Sequence, residues 1–253
     1  METIECYVAN LGKYNEGNYI GGWIKLPVED QELDTFLKDT VKLDGVNYEE
    51  YAIHDYTGNN YNFGEYADIH DLNLVAKKLS VMNEQEIDTT KAYWNEILSK
   101  SEPMELLNLC YQVNDIPFCY YGFEGMEALS QTASNELKYA YTITEENGLQ
   151  KQLEEMKIDM YFNYEQYGTE DKLAGAVVLS DNGYIYDNGC EIDLQFYSRE
   201  ELSEMVKDES KSLNKNAKEQ AGKDSNLKSR IQTAKEKANK HIKGNEVKER
   251  GSR

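Results

Sequence analysis

The sequence contains no run of about 18 apolar residues, the length a helix needs to cross a bilayer, so it predicts no membrane span. After Met1 it reads ETIECYVAN, with no basic segment leading into an apolar one, and the expectation is a protein that stays in the cytosol. Cysteine is sparse. Cys6, Cys110, Cys119 and Cys190 lack any C-x-x-C spacing, which argues against a disulfide scaffold or thiolate metal site and predicts reduced, mostly buried small apolar side chains. No G-x-x-x-x-G-K-[ST] occurs, Gly21-Gly22 does not extend to G-x-G-x-x-G, and there is no H-E-x-x-H. Asp181-Asn182-Gly183 and Asp187-Asn188-Gly189 lack the alternating ligands and closing Glu of a calcium loop and read as turns. No cofactor or metal is expected.

Histidine is rarer still, with His54 inside an expected strand, His70 at a helix start and His241 near the end of the chain. A nucleophilic device would have to recruit His54 or His70 with no nominated nucleophile beside it. His54 and Asp55 could form an acid–base pair, but neighbouring strand residues point to opposite faces, which favours a structural, hydrogen-bonding His54. Glu49 with Glu50, Glu145 with Glu146, and Glu154 with Glu155 are carboxylate pairs, but nothing sets one pair apart, and solvated helix faces explain each of them. A carboxylate-dependent hydrolase remains the enzyme alternative, resting on these pairs and His54.

Arginine is the most uneven absence: the first 210 residues contain only Arg199. They hold 14 basic and 42 acidic side chains, net −28, whereas residues 211–253 hold 13 basic and 5 acidic, net +8. All 20 Tyr, 2 Trp and 6 Phe precede position 200, which marks a folded acidic body followed by a basic tail of different composition. Solubility asks for a net charge of only about 2 to 8 in a small domain, far less than this body bears. Such a charge repels nucleic acid and anionic lipid. Laid along a rod at the density of duplex DNA, one charge per ~1.7 Å, it would cover about 48 Å, the scale of a protein. Carboxylates on successive helical turns can therefore stand where a DNA-binding protein expects phosphates.

Periodicity predicts an α+β fold. Residues 4–10 and 19–26 read as strands joined by the turn-rich LGKYNEG, Pro27 stops the second, and Leu33, Phe36, Leu37 and Val41 recur at helical spacing. Residues 48–56 alternate as a third strand. From Asp68 to about Leu129 three apolar helical stripes follow, carried by Leu72 to Val81, Ala92 to Leu98, and Met104 to Val113. A further helix is expected at about 147–158, then a strand in AGAVVL, and one or two strands in YIYDNGCEIDLQFY with a turn at Asn188-Gly189. In the tail, Leu227, Ile231, Ala234, Ala238 and Ile242 form a narrow stripe that would fray alone, and a solvated, disordered extension or a partner-bound helix are both open. The expected division is 1–62, an N-terminal α+β domain; 63–130, a central helical domain; 131–205, a C-terminal α+β domain; and 206–253, the basic tail.

Three blocks carry a resemblance. CYVANLGKYNEGNYIGGWIKLP (residues 6–27), EEYAIHDY (49–56) and YFNYEQYGTEDKLAG (161–175) resemble, in this order, the ArdA family of antirestriction proteins of conjugative plasmids, transposons and phages. The likeness covers roughly residues 4 to 190, strongest in the first 60, while PFCYYGF (117–123) and the basic tail depart from it. The resemblance implies an elongated, curved, three-domain homodimer. It would mimic bent B-form DNA, occupy the DNA-binding groove of type I restriction-modification enzymes at their methyltransferase core, and catalyse no reaction. Leu11 to Gly17 would form the family's characteristic turn. Self-association is placed around Tyr164, Tyr167, Ala174, Ala176, Val177 and Val178, although a buried core strand reads the same. The mimic surface would draw on Asp68, Asp71, Glu84, Glu86, Asp88, Glu96, Glu102, Glu105, Asp115, Glu124, Glu127, Glu154, Glu155 and Asp159, with no single carboxylate dominating. The acidic body would bind no DNA itself. A second reading keeps the mimicry and changes the target to another DNA-binding defence or regulatory protein, such as a CRISPR effector or repressor.

Overall fold

The computed structural model describes residues 2–57, 61, 63–97, 102–129, 132–186 and 194–212. Its contacts divide the chain into two units, Met1–Leu202 and Ser203–Arg253. The narrow apolar stripe of the basic tail, Leu227 to Ile242, His241, Cys190 and the Asn188-Gly189 turn lie outside the described residues.

The first unit begins with a three-stranded antiparallel sheet in the order β2-β1-β3, made of β1 (Ile4–Asn10), β2 (Gly21–Leu26) and β3 (Tyr51–Thr57). Alternation sorts its side chains: Ile4, Cys6, Val8, Ile24, Leu26 and Ile53 are buried, while Trp23 and Lys25 are exposed. The buried face receives α2 (Asp30–Asp39), whose Leu33 and Leu37 lie one turn apart and whose polar residues face water. Between β1 and β2, where turn formers predominate, the chain makes a short helix, α1 (Leu11–Asn15). Asn10 explains it: the side-chain oxygen accepts from Lys13 N at 2.8 Å, and its amide donates to Val41 O at 3.1 Å and Lys42 O at 3.2 Å.

Three helices follow on the predicted stripes, α3 (Ile69–Leu79), α4 (Glu84–Glu96) and α5 (Pro103–Gln112). Asp68 caps α3 through His70 N and Asp71 N, and Asn83 with Glu86 forms a capping box on α4. Leu72, Val75, Ala76 and Leu79 of α3 are buried, as are Leu106, Leu107, Leu109 and Cys110 of α5, and these two helices pack together.

The stretch read as wholly helical also contains a strand, β4 (Phe118–Tyr120). It pairs with β6 (Gly183–Tyr186), which pairs with β5 (Val177–Leu179), giving a second antiparallel sheet in the order β4-β6-β5. The Asp181-Asn182-Gly183 segment is the turn between β5 and β6, closed by Ser180 N donating to Gly183 O at 2.8 Å. Three helices accompany this sheet: α6 (Asn135–Glu146), α7 (Leu149–Glu155) and α8 (Tyr164–Leu173). The Tyr-rich block forms α8. It lies so close to α6 that a side chain at Gly168 would overlap the Glu136 carbonyl oxygen.

Side-chain amides hold irregular backbone onto the helices. Asn73 of α3 grips both backbone groups of Val28, accepting from its N at 2.9 Å and donating to its O at 3.0 Å. Two residues of α5 one turn apart repeat the device on residues 195–197, a segment expected to extend a strand. Asn108 takes the N of Tyr197 at 2.8 Å and its O at 3.4 Å, while Gln112 donates to Gln195 O at 2.7 Å and accepts from Gln195 N. Buried Thr89, Thr90, Thr142 and Thr144 return their hydroxyls to carbonyls four residues back.

Residues 199–202 close the first unit in helical conformation. In the second, residues 203–212 are helical, with a Lys211 to Asp208 pair at 2.9 Å.

Candidate functional site

The acidic surface is built mostly at helix ends and on helix faces. Of the fourteen carboxylates read as a mimic surface, Asp68, Glu84, Glu96, Glu102, Glu105, Asp115, Glu124, Glu127, Glu154 and Glu155 are exposed. Asp71, Glu86, Asp88 and Asp159 are half-buried. Several have work inside the fold. Asp68 and Glu86 serve caps, Asp88 accepts from the Tyr120 hydroxyl at 3.2 Å, and Asp68 and Asp71 face Arg199 at 3.7 and 2.6 Å.

Sequence reasoning left out an acidic stretch of equal density. Glu29, Asp30, Glu32, Asp34 and Asp39 are all exposed on or beside α2, opposite its buried Leu33 and Leu37. Asp30 and Glu32 lie in the first turn of α2, where acids also suit the helix dipole. Glu145, Glu146, Glu165 and Glu170 are likewise exposed on α6 and α8 and lie outside the predicted mimic set.

Several of the body's few cations pair with carboxylates. Lys13 pairs with Glu16 at 3.1 Å, Lys77 with Asp30 at 2.6 Å, Lys91 with Glu2 at 2.8 Å and Lys172 with Glu136 at 2.7 Å. The pairing with Lys172 holds Glu136 below the usual carboxylate range. Even if each of the 14 basic residues of positions 1–210 neutralised one carboxylate, 28 would remain uncompensated. Asp44 is lowered by a different cause: its oxygen accepts from the backbone N of Tyr48, Val46 and Asn47 at 2.7 to 2.9 Å.

The groups considered for chemistry are scattered. The carboxylate pairs at Glu49 and Glu50, Glu145 and Glu146, and Glu154 and Glu155 all lie exposed. His54 and Asp55 are both exposed, since a register shift in the β1–β3 pairing inserts His54 between Asp55, opposite Tyr7, and Ile53, opposite Val8. Cys6 and Cys110 are buried, which pushes both thiols up to about 12, whereas Cys119 is exposed. Among the described residues no group of three His, Cys, Asp or Glu is arranged to hold a metal ion. A polar cavity of about 210 Å³ brings Asp88, Lys91, Glu96, Asn135 and Asp181 together, and a larger open one of about 700 Å³ is lined by Phe123, Met126, Leu129 and Lys138.

A family model described as antirestriction protein (ArdA) matches residues 6–186. The chain belongs to the ArdA family of antirestriction proteins. The match runs from β1 through β6, and so includes the PFCYYGF segment that the sequence blocks left aside. No match was found among curated proteins. In this ArdA protein the LGKYNEG block is the α1 turn, where Lys13 donates to the Tyr48 hydroxyl and that hydroxyl donates to Glu16 at 2.8 Å. No helix among the described residues of the ArdA chain is long and apolar enough to cross a membrane.

The residues expected at a self-association surface divide. Tyr164 and Val177 are buried in clusters of the chain's own core, Tyr164 with Ala140 and Leu153, Val177 with Tyr139 and Tyr184. Tyr167, Ala176 and Val178 are half-buried, and Ala174 is exposed.

Proposed function

We propose that this antirestriction protein acts as a DNA mimic, occupying the DNA-binding groove of a type I restriction-modification enzyme at its methyltransferase core and so protecting incoming mobile-element DNA. The observation that carries the reading is the uncompensated charge: 42 carboxylates against 14 cations over residues 1–210, with ten of the fourteen predicted mimic carboxylates exposed. A cationic groove gains from such a surface as it gains from DNA, by charge pairing and release of counterions, without reading any base. The α2 carboxylates extend the surface in this reading. No side chain performs chemistry, and the acidic body repels DNA itself. The working place is the cytoplasm of the host cell.

The functional form is a homodimer of three-domain protomers, divided at about residues 62 and 130, with the basic tail after 205. Its self-association surface uses the accessible members of the predicted set, Ala174, Tyr167, Ala176 and Val178, together with Leu173, which is 80% exposed.

Cleavage of unmodified plasmid by a purified type I enzyme, titrated with the full chain at low salt, tests the reading. Inhibition should weaken stepwise as carboxylates are neutralised in groups of three or four. Loss of all inhibition on one Glu→Gln change would point instead to an enzyme.

A further inference from the structure

One face of the first sheet is turned away from α2. A side chain at Gly22 would meet Thr40 and Phe36, which places Gly22, Ile24 and Leu26 on the side of α2 and turns Trp23 and Lys25 the other way. That outward face is aromatic. Tyr7 and Trp23 sit opposite each other in register with ring centroids 5.6 Å apart, edge to face. The β3 bulge brings His54 within 6.4 Å of Tyr7 and 4.9 Å of Tyr14, and Tyr14 touches Tyr19 at 5.5 Å. Five rings thus form a continuous cluster, with Trp23 45%, Tyr14 44% and Tyr19 81% exposed. They add nothing to the core, which lies across the sheet. A contiguous exposed aromatic cluster marks an interaction surface.

Charge selects the occupant. In a basic protein an aromatic sheet face serves as a platform for stacked bases. Here Glu5 and Asp55 flank the rings on β1 and β3, a single lysine, Lys25, lies opposite Glu5, and the surrounding body carries net −28. A polyanion is repelled and a cation is drawn in. Between the two cationic side chains the rings favour guanidinium, which is planar, weakly hydrated and stacks on Tyr and Trp faces, over the strongly hydrated ammonium of lysine.

We propose that the outer face of the first sheet, centred on Tyr7, Trp23, Tyr14 and Tyr19, is a docking surface for an arginine-bearing polypeptide partner. It supplies ring faces beside carboxylates where DNA supplies bases beside phosphates. That the partner is a restriction enzyme rests on the function proposed above; the preference for arginine does not.

Fluorescently labelled octa-arginine and octa-lysine peptides, titrated into the full chain, test the surface without any restriction enzyme. The arginine peptide should bind about fivefold more tightly than the lysine peptide, the gain from one or two exposed cation–π contacts. Trp23→Ala with Tyr19→Ala should bring that ratio close to one with lysine-peptide affinity little changed, and Trp23→Phe should keep the preference. Trp94 is fully buried, so its blue emission reports that each variant is folded. A ratio unaltered by the double substitution would overturn the proposal. So would oligothymidine binding lost in the same variant, which makes the face a base platform, or a change in sedimented mass, which makes it a contact between copies. Failure to inhibit a type I enzyme with the peptide preference intact would count against the mimic reading alone.

Discussion

Arg199 places its guanidinium 2.6 Å from the Asp71 carboxylate, joining the segment after residue 194 to the first turn of α3. It is the only arginine in the first 210 residues, and it neutralises two carboxylates at the start of α3. Arg199→Ala should therefore have two opposed effects. Stability should fall by no more than about 1 kcal/mol, the ordinary worth of an exposed ion pair. Competition with DNA should become stronger, because two carboxylates are released. Thermal melts and DNA competition on one preparation check both signs.

The crossing of α6 and α8 leaves no space at Gly168. Gly168→Ala should destabilise the protein by about 1–3 kcal/mol, the usual cost of overpacking, because the obstacle is the Glu136 backbone carbonyl rather than a flexible side chain. Gly64 has open space around it, and Gly64→Ala should be close to neutral. Urea unfolding of the two variants compares them directly.

Asn108 and Gln112 satisfy backbone groups of residues 195–197, which pair with no strand among the described residues. Replacing both with leucine should free the amides of Gln195 and Tyr197 from their side-chain acceptors, at a cost of about 0.5–1.5 kcal/mol for each part-buried hydrogen bond lost. Hydrogen exchange of those two amides should accelerate while exchange in α3 changes far less.

Asp44 gives a dependence on pH. Its folded carboxyl lies well below the unfolded value of about 3.9, so its contribution is fully present above that value and is lost as pH falls towards the folded one. Asp44→Asn should lower stability at neutral pH and flatten its decline below about pH 4. Acid unfolding followed by circular dichroism tests the difference in slope.

Legibility in the sequence followed the range of the interactions. β1, β2 and α3 to α5 could be read because each buries its own periodic face, Cys6 and Val8 at period two, Leu72, Val75, Ala76 and Leu79 at helical period. β4 could not, since Phe118 to Tyr120 is too short to alternate and finds its partner in β6, more than sixty residues later. α6 had a signal that was not used, Ser134 capping through Leu137 N, but Thr142 and Thr144 dilute its apolar stripe with residues that favour strands. α8 is mostly polar and is held by its close approach to α6 at Gly168, a tertiary fact. The acidic surface was legible as composition; which carboxylates stay free was not, because it depends on where Arg199 and the lysines fold back.

The central claim is that carboxylates replace phosphates on a DNA-binding enzyme. It is tested most directly by competition between the full chain and a labelled duplex for a type I methyltransferase core, repeated from low to high salt. The account predicts that the protein displaces the duplex at low salt and that its own affinity falls steeply and linearly in a log–log plot against salt, as counterion release requires. Undiminished duplex binding at low salt with the protein in large excess, or displacement that does not respond to salt, would contradict it.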